Sequence, residues 1–149
     1  MKHPLSVMIW GSMSRKGVGM IQVLEGNINA CRYIKEVLEP KMLPSARDLF
    51  GASSDYIFQQ DGAPCHTARV CTRWFQQHNV QLLTWPRNSL DLNPISGDAE
   101  ATGQQDQPYA AIISSWFRVI TSAELGKLVD SMPRRCMAVM KVRGYQTRY

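Results

Sequence analysis

The sequence predicts a mixed α/β domain with a helical C-terminal part. Three observations point there. Short apolar runs rich in β-branched and aromatic residues alternate with stretches of helical apolar spacing, in the order β-β-α-β-α-β, up to Trp85. The chain has 149 residues, 44% hydrophobic and 19% charged, which suits one domain with its own core. Beyond residue 109 helical periodicity returns and no further strand pattern follows.

The elements follow in order. "LSVMIWGSM" (5–13) and "VGMIQVLEG" (18–26) read as strands, and Arg15, Lys16 and Gly17 between them make a hairpin turn. Ala30, Tyr33, Ile34, Val37 and Leu38 then share one helix face, with Asn29 as N-cap. Pro40 is expected to end or bend this helix, and Pro44 punctuates again. "DYIFQQ" (55–60) is a third strand. Thr67 is expected to cap a helix over "ARVCTRWFQQHN", where Val70–Trp74 and Cys71–Phe75 stack at i,i+4. "VQLLTW" (80–85) is a fourth strand closed by Pro86. Residues 96–109 carry no period and read as a divergent loop or disordered insert. In 110–149, Ala110, Ile113, Phe117 and Ile120 share a face, followed by Leu125, Leu128 and Val129. A last helix starts near Pro133 with Cys136, Val139 and Met140 inward and Gly144 as its stop.

Bulk properties exclude several classes. No apolar run reaches membrane-spanning length and no signal-peptide pattern opens the chain, so the expectation is a nuclear or cytoplasmic protein, not secreted and without a membrane partner. The net charge of +5 and a pI near 9.2 tilt slightly toward a polyanion such as nucleic acid. Arg134, Arg135, Lys141 and Arg143 near the end are candidate phosphate contacts, although a solvated helix face gives the same pattern. Four cysteines show no C-x-x-C pair, which speaks against zinc or a redox dithiol. Cys65 beside His66 suggests a nucleophile and base, but neighbours in an extended segment point to opposite sides. Trp10, Trp74 and Phe75, and the methionines at 132, 137 and 140, read as packing residues rather than base-stacking platforms or a partner box.

Four blocks in order, "VMIWGSMSRKGVG", "QQDGAPCHTA", "LLTWPRNSLDLNPI" and "LVDSMPRRCMAVMKVRGYQTRY", resemble the Tc/mariner group of DDE transposases, in particular its Tc-one-like branch. The resemblance implies a ribonuclease-H-like sheet with flanking helices over 1–95 and a helical remainder of the same domain over 110–149. It implies cut-and-paste DNA transposition, with three carboxylates holding two divalent ions, Mg2+ or Mn2+, that activate the attacking oxygen and stabilise the leaving one. Asp61 matches the second of these acids, with Gly62 and Pro64 turning the chain away and His66 and Thr67 in the same motif.

The other two acids are not matched. Thirty-four residues separate Asp61 from Ser96, the spacing implied for the third acid, so a neutral hydroxyl occupies its place. A serine brings no charge to offset dehydration of the metal. Asp98 and Glu100 lie nearby, but in a segment with no helical signal. Asp91 belongs to the motif without being its ligand. The first acid is expected on an opening strand upstream of "VMIWG", and no Asp or Glu precedes Glu25. Lacking that strand, "DYIFQQ" would have an unpaired edge, open to re-pairing with "LSVMIW", to dimerisation or to poor folding. The reading is therefore a degenerate catalytic domain in which Asp61 alone remains of the metal ligands and the ion pair is not bound. The alternative is a non-catalytic module that binds DNA, a second copy or an intact transposase. An active nuclease with a substitute acid is the least favoured.

Overall fold

The structure is a computed structural model that describes residues 7–52, 55–85, 92–93, 116 and 120–142. Two strands open it, β1 (Val7–Ser14) and β2 (Gly17–Glu25), hydrogen-bonded to each other as the predicted hairpin. Gly17 turns the chain with φ 158°.

A long helix follows in three stretches: α1 (Ala30–Arg32), a π-helical segment (Tyr33–Met42) and α2 (Leu43–Phe50). Asn29 caps it as expected, its side chain accepting from the Arg32 N–H at 2.9 Å. Pro40 does not end the helix. It lies inside the π-helical segment, where bonds reach back five residues, as from the Leu43 N–H to the Leu38 carbonyl. The wider ladder also explains the burial pattern. Nine residues of α-helix make two and a half turns and would put Tyr33 and Met42 on opposite sides. Both are buried, at 0% and 2% exposure, on the same core. Pro44 falls at the change from the π-helical segment to α2 and, lacking an N–H, gives no bond back to the preceding turn.

The expected third and fourth strands are short, β3 (Ile57–Phe58) and β4 (Gln81–Leu82). They pair in parallel with Ile57 opposite Gln81 and Phe58 opposite Leu82. Between them come α3 (Pro64–Thr67) and α4 (Arg69–Gln77). Thr67 is not the cap of α4: it ends α3, and its hydroxyl donates to the Ala63 carbonyl at 3.2 Å. Ala68, at ψ 144°, breaks the helix between them.

Among the described residues the strands form two separate two-stranded sheets, β1–β2 and β3–β4. Among the described residues β1 therefore does not pair with β3. Both sheets share one core of Leu24, Tyr33, Val37, Leu38, Met42, Cys71, Trp74 and Phe75, onto which Trp10, Phe58 and Leu82 also pack. Trp10, Trp74 and Phe75 are thus packing residues, as their spacing predicts.

This core belongs to one compact unit, Met1–Ser12 with Gly19–Trp85. A second unit comprises Met13–Val18 and Pro86–Tyr149. The second unit contains α5 (Ser122–Asp130) and α6 (Met132–Lys141). Thr121 and Glu124 close α5 with a reciprocal capping box, and Leu125 is buried at 1%. An ion pair joins Arg15 at the hairpin tip to Asp130. The α6 helix starts with Pro133 in its first turn as expected, but its inward face differs from the predicted one. Cys136 is exposed and Met140 is 77% exposed, whereas Arg135 is buried. The expected helix over Ala110, Ile113 and Phe117 and the stop at Gly144 lie outside the described residues.

Candidate functional site around Asp61

The chain leaves β3 through Gln59 and Gln60 and reaches Asp61 in an irregular turn before α3. Pro64 starts α3, which sends the backbone away and leaves the carboxylate partly open, with 45% of its side chain exposed. One oxygen, Oδ1, is held twice. It accepts from the Ala63 N–H at 3.0 Å and lies 2.5 Å from His66 Nδ1. The first contact is the local turn that Asp makes with a backbone amide two residues on.

His66 is itself fixed from behind. The Tyr33 ring lies against it with centroids 4.2 Å apart. The Tyr33 hydroxyl donates to Gln60 Oε1 at 3.0 Å, and Gln60 Nε2 donates to the His66 carbonyl at 3.3 Å. Tyr33 is fully buried, and burial pushes its hydroxyl above the usual tyrosine range, so it remains a proton donor at ordinary pH. Tyr33 and Gln60 were not legible as site residues. The apolar spacing assigns Tyr33 to the core, and only the polar end of "DYIFQQ" hints at Gln60.

Burial also pushes the Cys65 and Cys71 thiols up. The Cys71 sulfur is turned to the Cys65 carbonyl at 3.1 Å. With thiolate disfavoured and His66 turned to Asp61, the Cys65–His66 pair has neither the charge nor the geometry of a nucleophile and its base.

Asp61 is the only carboxylate described at this site. Among the described residues no three His, Cys, Asp or Glu side chains come together to hold a metal ion. One half-engaged carboxylate beside an imidazole does not fit a pair of hard dications, which require several oxygen ligands. Ser96, Asp98, Glu100 and Asp91 lie outside the described residues, as does Arg143. Of the basic candidates on α6, Arg134 and Lys141 are exposed. Arg135 differs from them: it is 8% exposed, and its Nε donates to Ser131 Oγ at 2.9 Å, one turn back along the same helix.

The Tcb1 transposase of Caenorhabditis briggsae is 37% identical to this chain over 97% of it and 55% of the relative. The Tc1 transposase of Caenorhabditis elegans is 34% identical over the same shares. The chain is homologous to the Tc1/mariner transposases. It spans about half the length of the curated relatives it matches. No protein-family model matches it. The crystal structure of the catalytic domain of Mos1 mariner transposase superposes with a TM-score of 0.80 at 20% identity, covering 99% of this chain and 78% of that one. The fold of this Tc1/mariner homologue is thus ribonuclease-H-like, as the resemblance implied. Among the described residues no helix is long and apolar enough to cross a membrane.

Proposed function

We propose that this chain is a remnant of a cut-and-paste DNA transposase catalytic domain that does not cleave DNA by itself. The observation that carries the reading is the isolation of Asp61. Among the described residues it stands as a lone carboxylate with one oxygen tied to Ala63 and His66, and the sequence has Ser96 at the spacing that the resemblance implies for the third acid. Mos1 transposase has been solved with Mg and with Mn, and with a left transposon end. Those structures support Mg2+ or Mn2+ as the parent cofactor and DNA as the parent partner. Two-metal chemistry requires both the attacking and the leaving oxygen to be clamped. Asp61 with His66 supplies at most one weak foothold for an ion.

The test is to incubate the whole purified chain with supercoiled plasmid and Mg2+ or Mn2+. The plasmid should stay supercoiled. Metal-dependent nicking that disappears in Asp61→Asn would overturn the proposal.

The exposed Arg134 and Lys141 and the net charge of +5 favour a second reading, a non-catalytic module that binds DNA or pairs with a second copy or an intact transposase. Gel shifts that weaken as salt rises would support the DNA arm. Sizing at increasing concentration tests the self-pairing arm.

A further inference from the structure

We propose that the exposed stripe Arg69, Arg73 and Gln76 on α4 is a surface for the phosphodiester backbone of duplex DNA. It rests on the DNA reading above but uses other residues. The α4 helix buries Cys71, Trp74 and Phe75. Its outer face carries Arg69, Thr72, Arg73, Gln76 and Gln77, all hydrogen-bond donors, with Val70 the exception at 43% exposure. Positions 69, 73 and 76 lie in one line along a helix, and the two arginines are about 6 Å apart along its axis.

Among the described residues no acid compensates these charges. The first turn of α4 holds no acid. Among the described residues neither Arg69 nor Arg73 meets a carboxylate within ion-pair distance, whereas Arg32 is forked onto Glu36 and Arg15 is paired with Asp130. In the sequence, no Asp or Glu occurs between Asp61 and Asp91. A cation in the first turn opposes the helix dipole, and like charges one turn apart repel. Both local preferences are broken at once, on the helix that directly follows the Asp61–His66 turn. Departures of this kind are expected where a surface serves a partner.

Charge complementarity selects a polyanion. Two forked donors one turn apart, flanked by amides, suit a row of phosphate oxygens and offer nothing to distinguish bases. The α6 helix is a poorer match: between Arg134 and Lys141 it exposes Met137 and Met140, at 61% and 77%.

The experiment measures anisotropy of a short labelled duplex with the whole chain across a salt series. Its variants are Arg69→Gln/Arg73→Gln, Arg69→Lys/Arg73→Lys and Arg134→Gln/Lys141→Gln, with far-UV circular dichroism confirming that each folds. Losing two phosphate contacts should flatten the salt slope by about 1.8, so the wild-type advantage over the glutamine pair shrinks about twelvefold between 50 and 200 mM salt. The lysine pair should keep the slope. An unchanged slope in Arg69→Gln/Arg73→Gln with a flattened one in Arg134→Gln/Lys141→Gln would overturn the α4 assignment and leave the DNA reading standing. No binding by the wild type would overturn both. Tighter binding of polyglutamate or single-stranded RNA than of duplex would reassign the surface to another partner and overturn the proposal.

Discussion

Replacing Gly19 with alanine tests the packing that supports the whole first unit. A Cβ at position 19 would collide with Ser12 Oγ and would lie 2.7 Å from Ser45 Cβ and 2.8 Å from Ser45 Oγ. Ser12 is a short side chain and can rotate. Ser45 cannot yield as easily. Its Cβ is fixed by the backbone of α2, and its Oγ accepts from the Met20 N–H at 2.8 Å while donating to the Lys41 carbonyl at 2.6 Å. The hairpin must move off the helix or one of these bonds must break. Overpacking of this kind costs about 1–3 kcal/mol, and a lost hydrogen bond about 1 kcal/mol more. Alanine recovers about 0.5–1 kcal/mol because it orders the unfolded chain. The net expectation is a loss of about 1–3 kcal/mol, or roughly 2–12 °C in Tm for a chain of this size. Urea unfolding followed by tryptophan fluorescence reads it directly. Gly19→Ala with Ser45→Gly should recover part of the loss, because it removes the immovable atom. A change below about 0.5 kcal/mol in the single variant would refute the claim that the hairpin sits tightly on α2.

Other outcomes follow from the same contacts. Tyr33→Phe keeps the ring on His66 but leaves Gln60 Oε1 without its donor, and should cost about 1 kcal/mol in chemical denaturation. Asp61→Asn keeps an acceptor for the Ala63 N–H but removes the anion beside His66. The His66 ring 15N signals should move, while stability changes by less than about 1 kcal/mol because the pair is partly exposed. Glu124 is held below the usual carboxylate range by the Thr121 N–H and hydroxyl. Its contribution is therefore present above the unfolded carboxylate pKa and is lost as pH falls through the lower folded value. Acid titration of Glu124→Gln should lack that part of the loss. Ser96→Glu alone should leave plasmid nicking absent, since one added acid still falls short of the set that two ions require.

Much of this fold was legible in residue spacing. The hairpin, the Asn29 cap, the buried line Tyr33–Ile34–Val37–Leu38 and the Pro133 start of α6 all follow from local chemistry. The misreadings share a cause. Pro40 is expected to end or bend a helix because an α ladder loses a bond there; the helix does not end, and the π ladder that carries it through is not visible in an apolar pattern. On α6, Cys136 and Met140 look like core residues and Arg135 like surface. Arg135 is 8% exposed and bonds to Ser131 one turn back on its own helix, while Met140 stands open at 77%. Which face of a helix is covered depends on what packs against it, and apolar spacing alone does not record that. At the site, Asp61 was found by resemblance. Its dependence on Tyr33 and Gln60 was hidden, because Tyr33 serves the core and the turn together.

The unusual winding from Tyr33 to Met42 therefore reaches beyond packing. If that segment tightened to ordinary pitch, Tyr33 and Met42 could no longer rest on one side, and one of the two would have to leave the interior. The ring that backs the imidazole beside the acid at position 61 thus shares its footing with a methionine nine residues further on.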